Sequence, residues 1–166
     1  ILFFCNIKDE KIIFSSRGMK SVYNIDTIIK TIPNVRKHFP KVKFIFASNY
    51  GEFSNDISIF IKNNNLQSNI LHTGWLDHEN EIPYLNMDAD IVVSVPSTDS
   101  SPFSVYEAMA TMTPVIVSDL LWVKDKFIAG KDLISIPVKD ALKLSEKIIE
   151  LLKKPNIIDV EHAYGI

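Results

Sequence analysis

Short apolar runs alternate along this chain with longer stretches in which apolar residues recur every three to four positions. Six of the runs are rich in Ile, Val and Phe and are continuous, which is typical of strands covered on both faces. They cover residues 11–16, 42–47, 69–73, 90–95, 114–118 and 133–136. The pattern predicts an α/β fold: a Rossmann-like, doubly wound parallel sheet of about six strands with helices on both faces.

Start and stop signals place helices between these strands. The expected helices cover about residues 24–38, 54–65, 77–87, 101–112, 120–129 and 140–152. Asn24, Ser101 and Asp140 are the expected N-caps. Pro33 should kink or break the first helix, and Gly130 should end the fifth in a left-handed conformation.

Composition narrows the class of protein without identifying it. The 166 residues suit one domain, and 46% hydrophobic with 23% charged residues is ordinary for a globular protein. A net charge of −2 argues against a nucleic-acid surface. The single Cys5 excludes an internal disulfide, and no apolar run is long enough to span a bilayer. Because the chain begins at Ile1, we expect a fragment of a longer protein.

The stretch over residues 94–119 carries the strongest chemical signal. Asp99 and Glu107 bracket the point where a polar loop becomes a helix. The first turn of a helix has unpaired N–H groups, so those of Phe103, Ser104 and Val105 should face a phosphate. The expected apolar face of this helix comprises Phe103, Tyr106, Met109 and Ala110. From spacing alone, Glu107 is equally well a solvated carboxylate and Asp99 a turn residue.

The loop after the first predicted strand adds two cations, Arg17 and Lys20. Together they would neutralise a diphosphate, Arg as a fork and Lys as a point charge. The alternative is that both are solvated surface residues. Gly18 is the loop's one glycine, so neither a dinucleotide-binding nor a P-loop signature is present.

Other reactive residues give weaker signals. The four histidines lack metal-ligand spacing, and no G-x-S-x-G elbow is present. His72, within a predicted strand, is expected in the core, and His78 is expected on the surface. Trp75 and Trp122 follow strand ends, where they would wall a base or sugar or simply pack.

Taken in order, these motifs are similar to those of a known family. Arg17 and Lys20 follow the first strand, an Asn-x-Gly ending at Gly51 follows the second, and Gly74 follows the third. Asp99-x7-Glu107 then runs into Glu-Ala-Met-Ala and, at 113–116, Thr-Pro-Val-Ile. Over residues 11–153 the chain resembles the C-terminal, nucleotide-sugar-binding domain of family-four retaining glycosyltransferases of the two-domain GT-B fold.

The resemblance implies a role for each candidate residue. Glu107 would hold the ribose hydroxyls, Asp99 would face the donor sugar, and Arg17 with Lys20 would neutralise the diphosphate. Trp75 would lie along the nucleobase. The remaining implied contacts to the nucleotide sugar are Gly51, Ser100, Ser101, Phe103, Ser104 and Val105.

Three positions depart from the family pattern. Asp99 stands where the family has Glu, residues 100–102 replace a Gly-rich turn, and Arg17 lies closer to Lys20 than the family's basic pair. These changes fall on the part that would touch the sugar and its diphosphate.

The implied function is retaining glycosyl transfer from a nucleotide-diphosphate sugar to a glycan or lipid-linked acceptor, without a metal or other cofactor. Acceptor contacts would come from an N-terminal domain, so we expect this fragment alone to be inactive. A cytoplasmic location, with peripheral membrane association of the full-length protein, is also implied. A non-catalytic sugar-nucleotide module and a related nucleotide-sugar epimerase are the alternatives. A receiver-type domain is disfavoured because no acidic pair ends the first strand.

Overall fold

A computed structural model describes residues 10–47, 53–100 and 102–165 of the chain. The strands are β1 (Ile12–Ser15), β2 (Lys43–Ala47), β3 (Ile70–Gly74), β4 (Ile91–Ser94), β5 (Val115–Ser118) and β6 (Ile134–Ile136). The helices are α1 (Ile25–His38), α2 (Asn55–Asn63), α3 (Ile82–Asp88), α4 (Phe103–Ala110), α5 (Leu121–Lys126), α6 (Ala141–Lys153) and α7 (Val160–Tyr164). All six predicted strands are confirmed.

The six strands form one sheet in the order β3-β2-β1-β4-β5-β6, and all neighbouring pairs are parallel. Strand β1 lies in the middle of the sheet, with β2 and then β3 on one side of it. The chain then crosses to the other side, where β4 pairs with β1. Ile13 lies opposite Ile91, and Phe14 lies opposite Val92. Ligands of such sheets bind outside the carboxyl ends of the strands at this reversal. The loops after β1 and β4 therefore form the crevice of interest.

Successive residues of the central strands are buried on opposite faces of the sheet. Ile13 and Ile91 pack in a core with α1, α2 and α6, whereas Phe14 and Val92 pack in a second core with α3, α4, α5 and α7. Burial on both faces explains why these strands are continuous apolar runs in the sequence. The predicted Rossmann-like, doubly wound fold is confirmed.

The edge strand β3 is the exception to this burial. Leu71 is 41% exposed, and His72 is also exposed, so the prediction of a core histidine is wrong. As the outermost strand, β3 pairs only with β2, which leaves part of its side-chain surface in solvent. The ring of His72 lies 5.7 Å from the ring of Phe53.

Helix α1 continues through Pro33, so the expected break does not occur. Proline cannot donate to the carbonyl oxygen of Ile29, one turn earlier, and this lost bond disfavours a helix. The helix nevertheless buries Ile28, Ile32 and Val35 almost completely against the sheet and α6. Tertiary packing outweighs the local cost of the proline.

Two helices end earlier than predicted, and one cap is confirmed. Helix α4 stops at Ala110, and Met112 then takes a left-handed conformation with φ of 56°. Helix α5 also stops before Gly130, whose φ of 84° serves the turn into β6. At the start of α6 the Asp140 carboxylate accepts the N–H of Lys143 at 2.8 Å, as an N-cap should.

Candidate functional site

Asn24 joins the two loops that form the walls of the crevice. Its backbone is left-handed, with φ of 51°, a conformation that Asn tolerates. Its side-chain amide donates to the carbonyl oxygen of Val95 at 2.9 Å and to Ser97 Oγ at 3.0 Å. The N–H of Ser97 in turn donates to the carbonyl oxygen of Val22 at 2.8 Å. The predicted side-chain cap is therefore wrong, because the amide of Asn24 binds the β4 loop instead.

Arg17 is the cation at the centre of this crevice. Its Nη2 donates to Asp99 Oδ2 at 2.6 Å, and its Nη1 donates to Ser104 Oγ at 3.2 Å. The guanidinium carbon lies 4.4 Å from the ring centroid of Tyr23, in a cation–π contact. Side chains from the β1 loop, the β4 loop and α4 thus meet at one guanidinium.

The Arg17–Asp99 pair is largely withdrawn from water. Each side chain is only 15% exposed, so the attraction is screened less than in a surface ion pair. Asp99 Oδ1 also accepts the N–H of Ser100 at 2.9 Å. Within the described residues, Nε of Arg17 is buried and has no hydrogen-bond partner. The structure thus brings together two of the candidate residues, Arg17 and Asp99, whose contact the sequence did not predict.

The first turn of α4 provides fewer donors than predicted. The N–H of Val105 donates to the carbonyl oxygen of Pro102 at 3.0 Å, and Val105 is fully buried. Its N–H is therefore not available to a phosphate, and that expectation is wrong. In the described part of the chain, the N–H groups of Phe103 and Ser104 have no hydrogen-bond partner. Two backbone donors remain at the crevice.

The buried face of α4 also differs from the predicted one. Phe103 is 81% exposed, although the spacing placed it in the apolar face. The buried residues of this helix are Ser104, Val105, Ala108 and Met109. Packing against α3 and α7 sets this rotation of α4. Phe103 is thereby left on the open side of the helix start.

Glu107 lies one turn along α4 from Ser104. Its side chain is 34% exposed, and its Oε1 lies 3.4 Å from Nδ1 of His78. His78 itself is 70% exposed, so its predicted surface position is correct, but it also contacts the candidate site. The loop after β3 therefore reaches the same helix that carries Ser104.

A hydrogen-bonded turn over residues 77–81 positions His78 beside Glu107. Asp77 Oδ1 accepts the N–H groups of Glu79 at 2.7 Å and Asn80 at 3.1 Å. Glu81 Oε2 accepts the N–H of Asp77 at 2.8 Å. These backbone bonds, first that from Glu79, hold the pKa of Asp77 below its ordinary value.

The two tryptophans have different environments. Trp75, before the turn over residues 77–81, is 61% exposed and remains a candidate wall for a base. Trp122 is 5% exposed and packs edge-on against Phe127, with ring centroids 6.0 Å apart. Trp122 is therefore a packing residue.

Lys20 lies apart from the Arg17 cluster. Its side chain is exposed and lines a recess of about 570 Å³ between α1, α2 and the start of α6, together with Phe53 and Lys139. Within the described ranges, Lys20 has no ion-pair partner. This recess contains neither Arg17, Asp99 nor Glu107, and we therefore locate the chemistry at the crevice.

Two predicted contacts, Gly51 and Ser101, lie outside the described residues. Across residues 10–47, 53–100 and 102–165, no three His, Cys, Asp or Glu side chains form a group suited to a metal ion. In the same ranges, no helix has the length and apolar character needed to cross a bilayer.

Three contributors to the crevice were not predicted from the sequence: Tyr23, Ser97 and the contact of His78 with Glu107. Tyr23 lies six residues after Arg17 and carries no motif. A clue to Ser97 was available, since a polar residue at the carboxyl end of a central strand commonly lines the ligand crevice.

The family follows from a comparison with models of known protein families. The model described as "Glycosyl transferases group 1" matches residues 4–164, nearly the whole chain. The chain belongs to the group 1 glycosyl transferases. This result confirms the resemblance drawn from the Asp99-x7-Glu107 motif. No curated protein matches the chain.

Solved structures show that this group 1 glycosyl transferase chain has the fold of the C-terminal domain of GT-B glycosyltransferases. The C-terminal domain of Francisella tularensis LpcC is 17% identical, with a TM-score of 0.83 over 93% of this chain and 83% of that one. S. aureus TarM, solved with fondaparinux, α-GlcNAc-glycerol and UDP, is 24% identical, with a TM-score of 0.77 over 89% of this chain and 29% of that one.

Anabaena HepE, solved with UDP and glucose, is 14% identical, with a TM-score of 0.82 over 96% of this chain and 43% of that one. The group 1 domain therefore spans less than half the length of TarM and HepE. It corresponds in extent to the LpcC C-terminal domain.

Proposed function

We propose that this chain is a single domain that binds the nucleotide-diphosphate sugar donor of a retaining glycosyltransferase. The observation that carries the proposal is the juxtaposition of Arg17 with the start of α4. The Arg17 guanidinium and the N–H groups of Phe103 and Ser104 lie at one crevice. The Arg17 side chain is only 15% exposed, and the two N–H groups have no partner among the described residues. Such a set of donors suits a diphosphate.

The polar residues around this crevice suit successive parts of a donor. Glu107, one turn into α4, would accept hydrogen bonds from the ribose hydroxyls, and Trp75 would lie along the base. Asp99 would face the hydroxyls of the sugar. Lys20 lies in the same loop as Arg17, and its side chain is exposed. Its role in neutralising the diphosphate stays a prediction.

The proposed chemistry is charge stabilisation on the leaving group. Negative charge grows on the diphosphate as the bond to the anomeric carbon breaks. Arg17 and the α4 N–H groups are fixed before the reaction, so they stabilise this charge without reorganising. We propose that these groups suffice without a cofactor, and that the acceptor binds to a further domain.

The solved neighbours support the choice of ligand. TarM and HepE were both solved with UDP, and a pneumococcal O-GlcNAc transferase, GtfA, with UDP and GlcNAc. By analogy we propose a nucleotide sugar as donor and a glycan or lipid-linked molecule as acceptor. Peripheral membrane association of the complete enzyme is part of the same proposal.

Calorimetric titration with UDP, GDP and ADP sugars tests this function. We expect one of them to bind, and Arg17→Ala and Glu107→Ala each to cost about 1.5–3 kcal/mol, the value of a charged hydrogen bond. Arg36→Ala and Glu146→Ala are the matched controls, since both residues lie on helices away from the crevice. Failure of the folded protein to bind any of the three donors would contradict the proposal.

A second candidate is a non-catalytic sugar-nucleotide module. The Arg17–Asp99 ion pair favours it, because the pair occupies two side chains that the reaction needs. Turnover of a bound donor by the complete protein would distinguish a glycosyltransferase from a non-catalytic module. Tight donor binding without turnover, with any glycan or lipid-linked acceptor, would favour the module.

A further inference from the structure

The guanidinium that should receive the donor's diphosphate already holds a carboxylate. Asp99 Oδ2 lies 2.6 Å from Arg17 Nη2, and both side chains are 15% exposed. Carboxylate and phosphate oxygens bind the same edge of a guanidinium with similar geometry. An incoming diphosphate therefore meets an occupied Arg17.

The other contacts of Arg17 would survive an exchange of anions. Ser104 Oγ accepts from Nη1 at 3.2 Å, and the ring of Tyr23 lies 4.4 Å from the guanidinium carbon. Both partners are neutral and come from elements other than the Asp99 loop. They hold Arg17 in place whether its anionic partner is a carboxylate or a phosphate.

The exchange has different consequences for a bare nucleotide and for a donor. A nucleoside diphosphate that takes Arg17 removes the cation from Asp99, which keeps the N–H of Ser100, and supplies no new donor to the carboxylate. A donor carries sugar hydroxyls, which donate to the released carboxylate. Building on the donor-binding function, we propose that Asp99 competes with the diphosphate for Arg17 and thereby selects the sugar-bearing donor over the bare nucleoside diphosphate.

Asp99→Asn tests the competition, because it keeps the side-chain shape and removes the charge. Calorimetry with UDP, GDP and ADP, and with the matching monophosphates, should show the diphosphate that binds wild type binding about fivefold more tightly to the variant, the factor expected for an ion pair of ~1 kcal/mol. The affinity of its monophosphate, which lacks the second phosphate that we place at Arg17, should change less than about twofold. The preference for the nucleotide sugar over the diphosphate should shrink by a similar factor.

The matched control is Glu146→Gln, which removes a carboxylate paired with Lys143 at 3.0 Å on the exposed side of α6. It should leave all nucleotide affinities unchanged. Asp99→Ser provides the same test if the Asn variant does not fold.

A double-mutant cycle distinguishes direct competition for Arg17 from a general electrostatic effect of the Asp99 charge on diphosphate binding. In an Arg17→Ala background, Asp99→Asn should no longer improve diphosphate binding. Equal improvement in that background, or no improvement in the wild-type background, overturns the inference while leaving the proposed function intact. If wild type binds no nucleoside diphosphate or donor, the proposed function fails and the inference fails with it.

Discussion

Ser104 serves both the fold and the candidate site. Its side chain is buried against α4's neighbours, yet its hydroxyl accepts from Arg17 and its N–H is one of the two donors at the helix start. A small polar residue suits this position, because a larger side chain would separate Arg17 from the helix. The ion pair, the hydroxyl and the backbone donors thus depend on one another.

Asp77 gives a prediction for pH dependence. Its pKa is lowered from 3.8 in the folded protein, chiefly by the N–H of Glu79. The stability that this carboxylate contributes is therefore complete when the pH lies above the pKa of Asp77 in the unfolded chain. It is lost as the pH falls through the lower pKa of Asp77 in the folded protein. We expect the free energy of unfolding to fall more steeply with acid in wild type than in Asp77→Asn. Denaturant unfolding at about pH 7 and about pH 3 measures this difference.

The control is Asp125→Asn, which changes an exposed carboxylate on α5. Its acid dependence should match that of wild type. If Asp77→Asn and wild type lose stability in parallel between the two pH values, the turn over residues 77–81 is not held by this carboxylate.

For individual residues, the acidic and basic members of the crevice could be predicted from the sequence, but not all of their contacts could. Arg17, Asp99 and Glu107 were found because each follows a strand end or a helix start. The N–H of Val105 was misjudged because it donates to the carbonyl oxygen of Pro102, where α4 begins. Phe103 was misjudged because the rotation of α4 depends on packing against α3 and α7, which local spacing does not encode. Their catalytic and binding roles stay predictions.

Among the elements, the loops after β1 and β4 act as one unit. Asn24, at the end of the first loop, hydrogen-bonds Val95 and Ser97 in the second. The distance between Arg17 and the start of α4 therefore depends on a residue that touches neither. This arrangement makes Asn24 a positioning residue for the crevice.

Asn24→Ala should lower the free energy of unfolding by about 1–3 kcal/mol, because it leaves buried polar groups unpaired and places a Cβ-bearing residue without local hydrogen bonds at positive φ. Asn24→Gly is the matched variant, since it accepts the backbone conformation and loses only the side-chain bonds. Both should weaken nucleotide binding in calorimetry. Wild-type affinity in the glycine variant would show that the two loops keep their positions without the amide.

Element types were predictable where the sequence pattern is strong. Continuous apolar runs gave the central strands, because burial on both faces leaves a clear signal. The edge strand β3 was also predicted, although it is partly exposed. The five-residue helix α7 was missed, being too short for a helical period. A contact with Asp132 holds α7 in place: the buried carboxylate of Asp132 lies 2.6 Å from Nδ1 of His162, thirty residues along the chain. Such long-range pairs are not visible in a single sequence.

For the molecule as a whole, the order of the strands decides where the site lies. Placing β4 beside β1 brings together loops that are 82 residues apart at Arg17 and Asp99. Ligands of parallel α/β sheets bind at the carboxyl ends of the strands, so the predicted fold class limits the site to that edge of the sheet. The sequence pattern could not supply the strand order, which is set by crossovers between distant segments.

The most direct test of the donor-binding account is the structure of this chain with a nucleoside diphosphate bound. We predict phosphate oxygens within about 3 Å of the Arg17 guanidinium and of the Phe103 and Ser104 N–H groups, and ribose hydroxyls at Glu107. In that complex Asp99 should have released Arg17. A nucleotide seated in the recess beside Lys20, with the Arg17–Asp99 pair intact, would contradict the account.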